Sequence, residues 1–420
     1  MSYQKKLFQC SLFFLISSFS FGLLSNEYDG YSALSVDQAL VLALETHPLI
    51  RSAEGQFKAA QSELNGARWS RFPTVSIGAQ GSSGDVQQDT TTVDLPLWAG
   101  GRINAEIDLA KSRRDGTGFA VSDAQQTVML ETVSTFFEYF KSEKKLTIAI
   151  ENVDEHQRLY EIIERRVEAN TSPDVDAMLA LARLQSAMSA EIQSKNRRNI
   201  SESSLELLID RPVGSVQVLR QPEKLVIGVD QAVSRAISVS PKIAMVQAEA
   251  AGFDASISSA RSALYPQVSL GFQYGETHGG SLDGQVDKQT FLSVQFQPGV
   301  GLSVASSVTA AKQRKQSALD TLEAEKRDLS RQIKSAWNEY ASVSIQLEPS
   351  KKLVEATSSV VDSYLRQYAV GKKSWLDVLN AQREATQARN TLVDFEVLYL
   401  TSLYRLKILL NEINPKLLGE

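Results

Sequence analysis

Hydrophobic positions along this chain keep two different periods, and each change of period falls at proline or glycine. Val36–Glu45 carries a helical stripe that Pro48 stops, because its ring disfavours the α conformation at His47. Leu49–Arg71 continues as a helix rich in alanine and glutamine, and Pro73 ends it. The period then drops to two. Val75, Ile77 and Ala79 alternate with polar residues, a polar glycine-rich loop follows at Gly81–Asp89, and Val93, Leu95 and Leu97 alternate again. This predicts a β-hairpin with one apolar and one polar face. After Gly100-Gly101 the helical period returns from Arg102 to about Arg166, with Val128, Val133, Phe136, Phe137, Phe140, Leu146, Ile150, Val153, Leu159 and Ile163 at helical spacing. Some 65 helical residues make a rod about 100 Å long, which needs packed neighbours along its whole length. A turn at Asn170-Thr171-Ser172-Pro173 then opens a return helix, Asp174–Asp210, and Arg211–Gly228 reads as a linker.

The same programme runs a second time. Val36-Asp37-Gln38-Ala39 returns as Val229-Asp230-Gln231-Ala232, and His47-Pro48 as Ser240-Pro241. Arg68-Trp69-Ser70-Arg71-Phe72-Pro73 returns as Arg261-Ser262-Ala263-Leu264-Tyr265-Pro266, and Val75-Ser76-Ile77-Gly78 as Val268-Ser269-Leu270-Gly271. Self-similarity held over roughly forty-five residues defines the architecture before any local assignment. The second hairpin alternates at Val268, Leu270, Phe272 and Tyr274, then Leu292, Val294 and Phe296, across a longer loop, Gly275–Gln289. A second rod runs from Leu302 to about Ala369, turns at Val370-Gly371-Lys372-Lys373-Ser374, and returns as Trp375–Asn411. Two structural repeats are therefore expected, 25–228 and 229–420, with strands at about 73–98 and 266–297 and helical tips at about 167–176 and 368–380. A return helix of about 37 residues stacked on a pre-strand helix of about 24 would climb back along each rod. The expected fold class is mixed and mainly α, a duplicated coiled-coil shaft with four strands at one end.

Composition narrows the compartment. The chain of 420 residues carries a net charge of −5, with no basic excess to grip phosphate backbones, so nucleic acid is excluded as a partner class. Lys5 and Lys6 precede an apolar run, Leu12–Leu24, with small residues at Ser20, Gly22 and Ser25, the pattern of a signal peptide over 1–24. A short membrane anchor is the other reading, but the run is too short to span comfortably. The single cysteine, Cys10, precedes the apolar run, so it is not placed to become a lipidated terminus. No later segment approaches 18 apolar residues, so an exported chain of this kind crosses a membrane only as a barrel. Two hairpins cannot close one alone. The three histidines, His47, His156 and His278, fall in a bend, a rod and a loop, and no phosphate-binding glycine loop or acid/base pair accompanies them. An enzyme is not expected, and no cofactor.

At this point the chain resembles the TolC family of outer-membrane efflux and secretion channels. The resemblance covers essentially all of the mature chain. It rests on the duplication, on Leu95-Pro96-Leu97-Trp98-Ala99-Gly100-Gly101, and most specifically on Tyr368-Ala369-Val370-Gly371-Lys372-Lys373-Ser374-Trp375-Leu376-Asp377-Val378-Leu379-Asn380-Ala381. It implies a homotrimer in which each protomer donates four strands to a twelve-stranded barrel in outer-membrane lipid, above a periplasmic helical cylinder. It also implies a periplasmic adaptor and an inner-membrane pump, ABC-type or proton-driven, as partners. A non-channel coiled-coil adaptor or structural rod is the alternative; it explains the rods but not four alternating strands at one end.

The resemblance also assigns a gate at the shaft's periplasmic mouth. Asp377 matches the first of the family's two pore-mouth carboxylates, whereas Asn380 departs from the second, leaving one acidic ring. Three Asp377 carboxylates near one axis would raise one another's pKa and favour a bound cation; the plainer reading is an aspartate favoured in a first helical turn. Tyr368 matches the lock's tyrosine and Asp176 its carboxylate partner. Lys373 stands where the family has arginine and lacks the bidentate fork. Tyr368 packing between helices and Lys373 as a solvated turn residue are the plainer alternatives. The turns, with Asn170 and Pro173 in one and Val370, Gly371 and Ser374 in the other, resemble the surfaces that meet an adaptor, although glycine can be there for the turn alone.

Overall fold

The computed structural model describes residues 33–413 apart from 83–85, 219–223, 226, 280–282 and 301–302. The expected signal peptide, 1–24, and part of the expected linker lie outside the described residues. The elements run α1 (Val36–Thr46), α2 (Pro48–Trp69), β1 (Thr74–Ser82), β2 (Val86–Trp98), α3 (Arg102–Glu168) and α4 (Asp174–Ile209). The same order follows as α5 (Val229–Val239), α6 (Pro241–Ser262), β3 (Gln267–His278), β4 (Gln285–Gln295), α7 (Val304–Ala369) and α8 (Trp375–Leu409).

Each short helix pair is joined through one residue that serves both. His47 ends α1, and its Nδ1 accepts the backbone N–H of Leu49, with Pro48 at the first helical position of α2. In the duplicate Ser240 does the same between α5 and α6, its Oγ accepting from Ile243 N ahead of Pro241. This explains why histidine and serine interchange there: both caps present an acceptor to an orphan N–H. His47 is a cap, not a chemical group in reserve.

The rods α3 and α7 have 67 and 66 residues. Beside α3 lie α4, with 36 residues, and α2, with 22. Beside α7 lie α8, with 35, and α6, with 22. α3 also packs against α6 and α8, which joins the repeats side by side. α7 contains Pro349, which the sequence reading of the rod passed over, and the helix still runs through it. Pro349 and Ile345, whose carbonyl the missing N–H leaves free, are both exposed, so water can take the lost bond.

The main core lies where the elements meet at mid-length: Leu40, Val128, Phe136, Phe137, Leu205 and Tyr404 all belong to it. Buried Tyr139 straps the segment after α4 to the shaft, its hydroxyl donating to Gly214 O at 2.7 Å and accepting from Arg198 Nη2 at 2.8 Å. Burial, with Glu143 next, pushes this phenol well above its ordinary range, so it stays a donor.

β1–β4 form one antiparallel sheet in sequence order. The strands extend further than their hydrophobic pattern. The expected loops Gly81–Asp89 and Gly275–Gln289 are largely strand, since β1 reaches Ser82, β2 starts at Val86, β3 reaches His278 and β4 starts at Gln285. Those outer turns pair through backbone while their side chains are polar, so no apolar alternation marks them.

Candidate functional site

The sheet has two chemically distinct faces. On one, Val75 pairs with Val93, which pairs with Phe272; Leu95 pairs with Leu270, which pairs with Leu292; and Val268 pairs with Val294. Ile77 is 81 % exposed and Val294 65 %, so this apolar face has no cover within the chain. On the other face a polar row runs Ser76, Thr92, Gln273, Gln289, and the next reads Thr74, Asp94, Gly271, Phe291. Asp94 accepts a hydrogen bond from Ser269 Oγ at 2.8 Å, and Gln295 lies opposite Gln267 on the same polar side. Strands of 9 to 13 residues are long enough to cross a bilayer when tilted.

Where strands meet helices, Trp69 and Phe72 pack with ring centroids 4.9 Å apart, and Trp98 and Tyr265 at 6.0 Å. All four are exposed. Amphipathic rings at that level are what a membrane–water boundary favours. Directly beneath, Gly100 and Gly101 adopt left-handed conformations, with φ of 59° and 90°. A Cβ on Gly100 would sit 2.7 Å from Ser262 O, so the glycine lets β2 turn into α3 against the end of α6. No helix among the described residues is long and apolar enough to cross a membrane.

At the other end both rods stop in the same way. Asn170 takes φ 54° after α3, with Asn170 N–H bonded to Val167 O and Thr171 N–H to Arg166 O, both at 2.8 Å. Gly371 takes φ 73° after α7, with Gly371 N–H on Tyr368 O at 3.0 Å and Lys372 N–H on Gln367 O at 2.9 Å. This is the double bond pattern that closes a helix through a left-handed residue. The turn requires Gly371 for its backbone, while Val370, Gly371, Ser374, Asn170 and Pro173 are all exposed at the extremity.

The return helices then start differently. Ser374 Oγ accepts from Asp377 N at 3.2 Å, and the Asp377 carboxylate accepts from Ser374 N at 3.0 Å and Ser374 Oγ at 2.8 Å, a closed capping box. These Ser374 bonds, with Lys373 after them, hold the Asp377 carboxyl below its ordinary range. Asp176 occupies the same third position of α4, but Pro173 replaces the capping serine and no side-chain cap forms. Asn380 follows Asp377 by three residues and is half-buried.

Tyr368 is buried among Leu159, Ile163, Ala180, Trp375, Val378 and Leu379, so it packs between helices and also bonds. Its hydroxyl lies 3.4 Å from Ser172 Oγ. No hydrogen bond joins it to Asp176 among the described residues. The Lys373 ammonium rests 4.3 Å from the ring centroid of Tyr364. Sequence reasoning missed Arg166, which stacks on the Tyr368 ring at 4.6 Å and donates to Tyr368 O at 3.4 Å. His156, which the sequence places in a rod, is buried on α3 with Nδ1 unpartnered among the described residues. Burial and the nearby Arg183 lower the His156 pKa. Among the described residues no group of His, Cys, Asp and Glu is placed to hold a metal ion.

A sheet with an uncovered apolar face, set on long paired rods with matching tips, is the architecture of an outer-membrane channel subunit. The family model for the outer membrane efflux protein matches residues 39–210 and 232–412, and the chain belongs to that family. Its members are channels of the outer membrane, not enzymes. The chain is similar to the solvent efflux pump outer membrane protein SrpC of Pseudomonas putida, 24 % identical over 398 residues covering 85 % of this chain and 82 % of that one. It is also similar to the alkaline protease secretion protein AprF of Pseudomonas aeruginosa, 20 % identical over 422 residues covering 93 % and 84 %. Among solved structures, CusC matches with a TM-score of 0.81 at 18 % identity over 89 % of this chain and 91 % of that one, and OprN with 0.80 at 20 % over 89 % of each.

Proposed function

We propose that this chain is one protomer of a homotrimeric exit duct, which passively conducts substrate from an inner-membrane pump through a periplasmic adaptor and across the outer membrane. The observation that carries this reading is the sheet's pair of open edges. β1 and β4 each pair on one side only, while the apolar face is uncovered. In lipid an edge strand without a partner leaves every second backbone group unsatisfied, at several kcal/mol each. Closure by further copies removes both edges, and three copies give the twelve strands that the family resemblance implies. The shaft supports the same assembly. Exposed Val175, Met178, Met188 and Ile192 line α4, which has no neighbour on that side within the chain, and Ile345 and Leu353 are exposed on α7.

In this reading residues 1–24 are removed on export, and the repeats 25–228 and 229–420 build the shaft together. The gate is the tip, formed by Tyr368, Lys373, Asp377, Asn380 and Asp176 with Arg166. The exposed turns meet the adaptor, and Asp377 repeats around the mouth. The relatives include both a solvent efflux protein and a protease secretion protein, so efflux and type I secretion are both within reach of this duct. The test is outer-membrane fractionation with gel migration before and after boiling. A protein that resists carbonate extraction and shifts from trimer to monomer on heating supports the duct. A carbonate-soluble monomer supports the periplasmic rod instead.

A further inference from the structure

On the polar face of the sheet one aromatic side chain stands out among the described residues. Phe291 lies opposite Gly271, and Gly271 opposite Asp94, in one row across β4, β3 and β2. Because Gly271 has no side chain, the ring lies flat across β3: a Cβ built on Gly271 would fall 2.3 Å from Phe291 Cζ. The ring thus reaches over the middle strand toward the position of Asp94, whose carboxylate is held by Ser269 Oγ at 2.8 Å. The neighbouring row on this face, Ser76, Thr92, Gln273 and Gln289, is wholly polar.

We propose that Phe291 and Asp94 form a subsite on the barrel wall for aromatic organic cations passing through the duct. This rests on the duct reading, which makes the polar face the lumen. A fixed ring offers its negative π face, an adjoining carboxylate offers full charge, and both attract the same class of ligand. Packing on Gly271 holds the ring, so little side-chain freedom is lost when a ligand stacks on it. Three protomers repeat the subsite around the wall, where it slows and concentrates such cations without closing a wide lumen. Anions and aliphatic neutral solutes have no comparable foothold.

The probe is methyl viologen, a water-soluble aromatic dication, applied from the barrel side to single channels in planar bilayers. Phe291→Leu keeps apolar cover over Gly271 but removes the π face; Asp94→Asn keeps the hydrogen-bond acceptor but removes the charge. Each is expected to raise the concentration for half-maximal block by about threefold or more, with potassium conductance little changed and 1,5-naphthalenedisulfonate without effect throughout. Equal block in wild type and both variants overturns the subsite while leaving the duct standing. Equal block by the disulfonate also overturns it, since the wall would then not discriminate charge. A protein with no conductance even when Tyr368→Phe and Lys373→Ser loosen the tip overturns the duct reading and this inference with it.

Discussion

The guanidinium of Arg166, in the last turn of α3, lies 4.6 Å from the ring centroid of Tyr368, in the last turn of α7. It also donates to the Tyr368 carbonyl. One residue of the first repeat therefore holds the closing turn of the second. A cation–π contact of this kind contributes about 0.5–1 kcal/mol at a partly exposed site. Arg166→Ala is expected to speed amide hydrogen exchange over 368–374 by about two- to fivefold and to raise channel conductance. Unchanged exchange in that window would remove Arg166 from the lock.

The gate side chains predict a second effect on conductance. Tyr368→Phe with Lys373→Ser deletes the contacts to Ser172 and to the Tyr364 ring while leaving the buried packing of the 368 ring in place. The pair is expected to raise mean single-channel conductance, with trimer yield unchanged. Equal conductance would show that the tip is held by packing alone.

The capping box gives a pH prediction. Hydrogen bonds from Ser374 hold the Asp377 carboxyl below its ordinary value of 3.8. A depressed carboxyl stabilises the fold fully above that value and loses the contribution as pH falls through the depressed one. The Asp377 contribution to tip protection in hydrogen exchange should therefore be constant from pH 7 to about pH 4 and fall below it. Ser374→Ala should move the Asp377 titration upward, as followed by carboxyl NMR. A titration that does not move would mean that the box is not the cause.

His156 acts in a different window. Burial, then Arg183, favour its neutral form, so the folded-state pKa lies below 6.5. The unfolded chain then binds more protons, and stability declines as pH falls from 6.5 toward the folded value. His156→Gln should lessen the loss of tip protection between pH 7 and pH 5. An identical loss in the variant would place the acid sensitivity elsewhere.

A side chain at Gly271 is predicted to displace the Phe291 ring from the strand it covers. Gly271→Val would drive a β-branched group into the Phe291 ring, an overpacking that costs about 1–3 kcal/mol. The expected result is a heat-dissociable assembly with a lower transition temperature, partly restored by adding Phe291→Ala. Failure of the second substitution to restore it would place the glycine's role in the backbone.

Much of this was legible from the chain because the duplication lets each half check the other. Pro73 and Pro266 mark where period 3.6 becomes period 2, and the matched turns 170–173 and 370–374 mark where each rod reverses. The misses have physical reasons. Strand ends beyond the apolar band carry no alternation, so Gly81–Asp89 read as loop. Pro349 leaves the helical period of the second rod unbroken, because the carbonyl it orphans is exposed to water. The alternation of Leu292, Val294 and Phe296 leaves Phe291 on the opposite face, and only the register shows that it lies across Gly271. Arg166 looks like an ordinary cation at a helix end, and only the packing of α3 beside α7's tip gives it Tyr368. The resemblance supplied Tyr368, Asp377 and Asp176 as gate residues, and the single chain brings Tyr368 to Ser172 and Asp377 to Ser374.

What the duct carries is decided by comparing secreted proteins from cells with and without this chain. Loss of one large exported protein assigns type I secretion. An unchanged set assigns small-molecule efflux, which a drug, dye and detergent susceptibility panel should then reveal.

The central claim is that β1 of one copy closes against β4 of the next. Double-cysteine variants that pair positions 75–77 of β1 with 292–294 of β4, tested in intact cells under mild oxidation, measure this most directly. The account predicts that at least one pairing yields covalent species up to a trimer and none beyond it. Monomer alone in every pairing, or a ladder that runs on past three copies, would contradict it.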